Sequence, residues 1–452
     1  MNNQPELYPS DFKDKVDSER KLYIPVIYKF TISHFFAFLW MLLSIYLSIP
    51  WIRELGTHIT IPGAVFIIAG IAYIPGYMNA FMISSLLFDK QPLLKVNDPS
   101  EPITILVACH NEETAIGTTL EYIKKQDYRG QIQVIVIDNN STDQTFEKAA
   151  EAGKKLGLNL LVIREHKPGK NHALNTALSY TKTDMFITLD ADTLLHKSAV
   201  RYIVSRKLSS PPDVCAVAGT VLVRNSRENF WAKMQEWDYF LGIASIKRLQ
   251  GLFQGTLVAQ GAFSLYETEA IRKVKGWPDA IGEDIVLTWN LLSTNHRVYF
   301  EPLAVAFTDV PVTLKHFFRQ RSRWARGMIE ALKVVKPWEQ KSIYTKYLTG
   351  ANLIMPYLDF VYTFFWIPGL ILAFFGYHWI VGPATLFVLP LAMLVNYILY
   401  RYQKEVFRQL QLKIRKNKLG FIAFVLCYQM FMSPISVWGY IQEFFRLKRI
   451  WK

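Results

Sequence analysis

Four stretches of the chain, residues 30–52, 55–88, 360–400 and 419–442, contain no Asp, Glu, Lys or Arg. A helix that crosses the hydrocarbon core of a bilayer needs about 20 apolar residues, and these runs reach or exceed that. The first two predict membrane helices over Phe30–Pro50 and Ile61–Phe88, with Gly and Pro tolerated as membrane helices allow. Ten residues separate them, so they predict a hairpin with both ends on one side of the membrane. Beyond residue 350, the pattern predicts spans over Asn352–Phe375 and Trp379–Tyr400, interrupted only by Asp359, and a further apolar segment over Leu419–Gln442. Pro434 divides that last segment, so a re-entrant or interfacial element fits it as well as a span does.

Between the apolar runs, residues 89–346 have mixed composition and suffice for one large globular domain. Ile103–Cys109, Gln133–Ile137, Leu158–Ile163 and Met185–Leu189 are short runs rich in Ile and Val. Helical patterns fall between them over Thr114–Lys125, Asp143–Lys155 and Asn171–Tyr180. This alternation predicts an α/β fold with a mostly parallel sheet. From Thr313 to Val335, Leu314, Phe317, Trp324, Met328, Ala331 and Val335 recur at helical spacing among Lys and Arg residues. That predicts a basic amphipathic helix at the membrane surface.

Charge refines the picture. The chain carries 51 Lys and Arg against 37 Asp and Glu, a net charge of +14. Residues 401–418 hold seven basic residues and one acid, and the tail from Arg446 is basic again. Such clusters beside apolar spans are cytoplasmic topology signals with anionic lipid as their partner, which argues against nucleic acid. A single span between the two clusters does not satisfy that rule, so the pattern leaves the number of C-terminal spans open. The N-terminal segment shows no cleavable-signal pattern. Cys109, Cys215 and Cys427 lie far apart in apolar contexts, with neither metal spacing nor a disulfide framework.

The polar residues of the middle stretch gather at predicted strand ends. The first strand runs into Asn111-Glu112-Glu113 and the second into Asp138-Asn139-Asn140-Ser141-Thr142-Asp143. The C-terminal edge of a parallel sheet is where α/β folds bind ligands, and Asp138 suits a base or ribose. Ser141, Thr142 and Asp143 read equally well as turn and cap residues. Met185–Leu189 ends in Asp190-Ala191-Asp192, a pair of hard oxygen donors suited to Mg²⁺ or Mn²⁺. Gly169 and Lys170 precede a helix, where backbone N–H groups and a cation favour phosphate. Glu283 and Asp284 either cap the helix that follows or supply a general base. Gln320, Arg323 and Trp324 fall within one turn. They serve either sugar and phosphate binding or interface anchoring. Asp359 fits both a channel lining and an interhelical hydrogen bond.

Taken in order, Asn-Glu-Glu, the Asp138 turn, Gly-Lys-x-x-Ala-Leu-Asn, Asp-x-Asp, Gly-Glu-Asp and Gln-x-x-Arg-Trp resemble the processive family-2 glycosyltransferases: the cellulose, chitin, hyaluronan and poly-N-acetylglucosamine synthases. The resemblance covers about residues 100–335. With Ser245-Ile246-Lys247-Arg248 and the two-helix N-terminus, it is most similar to the poly-β-1,6-N-acetylglucosamine type. It implies a GT-A (Rossmann-like) catalytic domain over 89–312, inserted between transmembrane helices. A cytosolic segment 1–29 and a membrane hairpin 30–88 would precede it. An interfacial helix region 313–346 and a C-terminal membrane region 347–452 would follow.

The resemblance also implies roles. Asp284 would be the general base. Glu112, Asp138, Lys170, Asp190 and Arg323 would bind the UDP-sugar donor, and Asp192 would hold a Mg²⁺ or Mn²⁺ ion. Gln320 and Trp324 would hold the growing polysaccharide acceptor. The implied product is a β-linked extracellular polymer, made by a multi-pass protein of the cell membrane with a cytosolic catalytic domain and a small membrane accessory subunit as a further partner. A non-processive lipid-linked sugar transferase, a synthase of another polymer and a degenerate membrane scaffold are the competing readings. Two positions depart from the family pattern: Asn139 stands where many relatives have Asp, and Gly282 where Thr is commoner. No PilZ-like Arg-x-x-x-Arg segment follows the last spans, so an intrachain cyclic-di-GMP sensor is not expected.

Overall fold

The computed structural model describes residues 24–447, apart from 91, 383, 384, 386 and 387. The N-terminal segment to residue 23 and the end of the basic tail, 448–452, lie outside the described residues. Eight strands form one sheet: β1 (Ile103–Cys109), β2 (Ile132–Asn139), β3 (Asn159–Glu165), β4 (Met185–Asp190), β5 (Leu194–Leu195), β6 (Val214–Val223), β7 (Phe263–Glu267) and β8 (Arg297–Thr308). Their spatial order is β3-β2-β1-β4-β7-β6-β8-β5.

The first four strands pair in parallel, as the Ile/Val runs predict. The sheet as a whole keeps the expected mostly parallel pairing but adds antiparallel neighbours. β7 runs antiparallel to both β4 and β6, β8 pairs in parallel with β6, and β5 runs antiparallel to β8. The sheet is therefore mixed. The connections on either side of β7 do not follow the βαβ crossover rule that a uniform parallel sheet requires.

Both faces of the sheet are covered. Ile103, Ile105 and Val107 of β1 pack on one side with Leu120, Ile123 and Ile203 from flanking helices. Leu106 points the other way, into a core that holds Leu174, Ala177 and Trp289. This alternation is the period-2 geometry of a strand. Register then aligns the chemistry: Asp138 lies opposite Cys109, and Asp190 opposite Ala108. Three strand ends thus present polar groups along one edge.

Among the described residues, four helices are long and apolar enough to cross a membrane: Val26–Leu47, Ile61–Leu87, Ile343–Phe374 and Lys418–Phe444. Two precede the sheet and two follow it. The link between the first two is itself a helix, Ile49–His58. Phe30 of the first span packs edge-on against Phe253 of the sheet domain, which ties the two parts together. The expected span over Trp379–Tyr400 lies partly outside the described residues; within it, a helix runs from Val388 to Gln409 and continues through Arg401, Lys404, Glu405 and Arg408. Leu419–Gln442 is a continuous helix despite Pro434. Asp359 accepts hydrogen bonds from Ser433 and Tyr440, each 2.7 Å, which is the interhelical role.

The amphipathic segment is a helix over Leu314–Val334. It does not simply float a basic face at the surface. Arg321 and Arg326 turn inward, to Asp238 at 2.9 Å and Glu443 at 3.0 Å.

Candidate functional site

The turn after β1 is laced to the turn after β2. Asn111, in the left-handed region at φ 57°, accepts from the Thr142 N–H at 2.8 Å, and its own N–H donates to Ser141 Oγ at 3.0 Å. The Glu112 N–H donates to Thr145 Oγ1 at 2.7 Å. Asp143 accepts from the N–H groups of Thr145 and Glu113. The Ser-Thr-Asp triplet is therefore turn and cap chemistry, and it fixes where Glu112 points. Asp138 is buried, with its Oδ1 accepting from the Ser141 N–H at 3.3 Å and Arg164 at 3.7 Å from Oδ2.

Asn139 explains its own departure from the family pattern. Its amide donates to the carbonyls of Glu165 at 3.2 Å and Lys167 at 2.8 Å, while its oxygen accepts from the Gly169 N–H at 2.8 Å. It holds the loop that delivers Lys170, and a carboxylate lacks the donors for two of those bonds. Gly169 sits at φ 134°, a conformation that a side chain would strain.

Lys170 pairs with Asp190. Burial works against its charge, but Asp190, Glu283 and Asp284 outweigh that and hold it above the ordinary lysine range. Two residues on, Asp192 accepts from Thr308 at 3.3 Å and Thr193 at 3.2 Å. Burial, and then the charge of Asp190, push Asp192 up to about 6. Glu112 is raised to about 7 by burial and by Asp192 and Asp190. The edge thus crowds negative charge that a cation would relieve. Among the described residues, no three His, Cys, Asp or Glu side chains form a metal-binding group. The protein offers the Asp190–Asp192 pair, and a Mg²⁺-type ion takes its remaining ligands from water and substrate phosphates. The donor set fits such an ion.

Asp284 opens the helix Glu283–Ser293. Its Oδ1 accepts from the Ile285 N–H at 2.8 Å, and its Oδ2 lies 3.5 Å from the Gly261 N–H. Glu283 is buried, and burial, with the Asp284 charge, raises its pKa while Lys170 and Arg323 oppose the shift. Arg323 therefore reaches the same charge cluster as Lys170. Gln320 lies one turn away, and its buried Oε1 has no donor. Trp324 is half-exposed and stacks on Arg321, 4.0 Å from ring centre to guanidinium carbon.

Several residues of this region have no assigned role in the sequence reading. Arg224 forms a bidentate pair with Asp309, whose charge adds to the shifts of Asp192 and Glu112. Asp309 follows the end of β8, whereas Asp190 is the last residue of β4. Glu330 accepts from the N–H groups of Ile281 at 2.7 Å and Gly282 at 3.3 Å. Lys247 is buried and donates to the Val258 carbonyl at 3.1 Å. Burial lowers its pKa to about 7, against the charge of Asp284.

Comparison with known proteins agrees with this layout. A family model described as "Glycosyltransferase like family 2" matches residues 99–327. A poly-beta-1,6-N-acetyl-D-glucosamine synthase of Staphylococcus aureus (strain COL) is 33% identical over 245 residues, covering 54% of this chain and 58% of that protein. One from Staphylococcus epidermidis is 30% identical over 268 residues, covering 59% and 64%. The chain thus spans less than two thirds of the length of these relatives. Among solved structures, the mannosyltransferase PcManGT from Pyrobaculum calidifontis, in complex with GDP-Man and Mn²⁺, matches with a TM-score of 0.58 at 19% identity, over 85% of this chain and 99% of that one. The likeness is one of fold, and in this chain that fold is a GT-A domain with candidate membrane helices on both sides.

Proposed function

The chain belongs to glycosyltransferase family 2, and from that footing we propose that it polymerises N-acetylglucosamine from UDP-N-acetylglucosamine into a β-linked polysaccharide. In this reading the catalytic domain faces the cytosol and the product leaves through the adjacent membrane helices. The observation that carries the reading is the convergence of Lys170, Asp190, Glu283, Asp284 and Arg323 on one charge cluster. It lies at the strand edge of a domain flanked by candidate spans.

The reaction is a single displacement. Asp284 takes the proton of an acceptor hydroxyl as that oxygen attacks the anomeric carbon. The bond from that carbon to the diphosphate oxygen breaks, and UDP leaves. Direct attack inverts the configuration, so an α-linked donor gives a β-linkage. Lys170 and Arg323 face the charge that develops on the diphosphate. Asp192, with Asp190, would hold a divalent cation, whose chemistry when bound is further neutralisation of that diphosphate. Asp138 and Glu112 take the nucleoside end of the donor. Gln320, with its undonated oxygen, and Trp324, with its open ring face, hold the acceptor sugar.

Incubation of membranes containing the chain with a panel of labelled UDP-sugars and Mn²⁺, followed by product sizing and linkage-specific hydrolases, tests this. The expected product is a long chain from UDP-N-acetylglucosamine alone, abolished in Asp284→Asn. A single sugar on lipid, or full polymer yield from Asp284→Asn, overturns it.

A further inference from the structure

A cavity of about 460 Å³ lies between the β5 edge of the sheet and the linker that precedes the last candidate span. Its floor is apolar, built from Leu222, Phe240, Phe307, Phe407 and Leu412. Its rim is basic: Lys125, Lys197, Arg224, Lys413 and Arg415. Lys125 is matched by Glu121 and Arg224 by Asp309. Lys197, Lys413 and Arg415 have no carboxylate partner among the described residues, and all three are exposed. The one acid in the lining, Glu236, already accepts from Ser226 at 2.9 Å and from Asn417 at 2.6 Å. The cavity therefore joins a greasy floor to three unmatched cations.

Its position fixes the kind of ligand. Trp237, in the cavity wall, donates from Nε1 to the carbonyl of Asn417 at 2.8 Å. Asn417 caps the helix Lys418–Phe444 by accepting from the Gly420 N–H at 3.1 Å. The cavity thus opens where a candidate span begins, and Trp and basic side chains are the types enriched beside lipid headgroups. Basic pockets next to spans bind anionic headgroups. An acyl chain matches the floor, and a phosphodiester matches Lys197, Lys413 and Arg415.

We propose that this cavity is a binding site for an anionic phospholipid of the cytoplasmic leaflet. The inference rests on the membrane orientation proposed above. A route to the active edge exists within the sheet. Leu194 pairs with Phe307, and the next residue, Thr308, donates to Asp192. A lipid seated on Leu194 and Phe307 steadies the strand pair that holds Asp192, and synthesis rises with occupancy.

The test uses the full chain in nanodiscs of phosphatidylcholine, with or without phosphatidylglycerol, beside the triple variant Lys197→Gln, Lys413→Gln, Arg415→Gln. Phosphatidylglycerol retention is read by native mass spectrometry, and sugar transfer is read separately. The wild type is expected to retain phosphatidylglycerol on the order of 10- to 100-fold more tightly than the variant, with transfer stimulated only in the wild type. Activity in phosphatidylcholine alone stays equal in the two proteins. Equal retention, or displacement of the lipid by millimolar inorganic phosphate, overturns the proposal. So does a polypeptide that occupies the cavity and excludes phosphatidylglycerol. Because retention is read without turnover, a protein that binds the lipid but makes no polymer refutes the proposed reaction and leaves this site intact.

Discussion

Gly282 and Gly327 meet backbone to backbone. A Cβ on Gly282 would fall 2.8 Å from Gly327 Cα, and one on Gly327 would fall 2.9 Å from Gly282 Cα. Here the Leu314–Val334 helix, which carries Gln320, Arg323 and Trp324, touches the loop that leads into Glu283 and Asp284. One turn on, Glu330 grips the same loop through the N–H groups of Ile281 and Gly282. The proposed acceptor-binding residues and the proposed base are thus fixed to each other by a contact with no room for a side chain. That gives Gly282, the departure from the Thr of many relatives, a packing role in this chain.

Gly327→Ala therefore forces the helix and the loop apart. Overpacking of this kind costs about 1–3 kcal/mol, because the atoms in the way are backbone. Polymer synthesis is expected to fall at least tenfold, with a raised acceptor requirement, in protein that still inserts and folds. Steady-state UDP release against acceptor concentration checks it. Unchanged kinetics would show that the contact can open freely.

Asn139→Asp removes two donated hydrogen bonds and brings a carboxylate towards the carbonyls of Glu165 and Lys167. Asn139 is 7% exposed, and unsatisfied buried groups cost about 1–3 kcal/mol each. The loop before Lys170 loosens, so the Michaelis constant for the donor rises more than the turnover number falls. Donor titration of the variant, with Asn139→Ser as a partial rescue, measures this.

These two residues also mark how far the sequence could be read. β1 to β4 were legible because buried parallel strands appear as short Ile/Val runs bounded by turns. β6 and β8 were not, since their partners are chosen by a sheet that reverses direction at β7. Lys170, Asp190, Asp192 and Asp284 stood out because they sit at strand and helix ends. Asp238, Lys247 and Glu330 lie inside helical patterns that look solvated, and only packing shows that their faces turn inward. The Val388–Gln409 helix shows a related limit, since Arg401, Lys404, Glu405 and Arg408 continue the helix past the apolar run that the sequence reads as a span.

Arg321 and Asp238 form a buried ion pair, and Tyr428 also donates to Asp238 at 2.6 Å. Arg321 in turn lies under Trp324. Removing one member of a buried pair costs about 3–5 kcal/mol, because the other charge is left uncompensated. Asp238→Asn should therefore destabilise the protein strongly, and Asp238→Leu with Arg321→Met should recover much of that loss. Recovery of stability without recovery of acceptor affinity would show that Arg321 matters for holding Trp324 in place. Thermal unfolding in detergent and acceptor titration, combined as a double-mutant cycle, separate the two effects.

Lys247 predicts a pH dependence of stability. Its pKa is about 7 in the folded chain against an ordinary 10.5, with burial as the cause. Between those values the unfolded chain binds the proton more tightly, so stability rises with pH across that window. Below pH 7 both states are protonated and the penalty is complete. At about 1.4 kcal/mol per tenfold change in proton affinity, it approaches roughly 5 kcal/mol. As pH climbs from 7 to 10.5 the penalty disappears. Lys247→Met lacks this titration but leaves the Val258 carbonyl without its donor, a fixed cost of about 1–3 kcal/mol. The variant should therefore be the more stable protein at pH 6 and lose that advantage by pH 10. Thermal midpoints of the two proteins at matched pH check the crossing. Parallel profiles would mean that the ammonium keeps its charge in the fold, held there by Asp284.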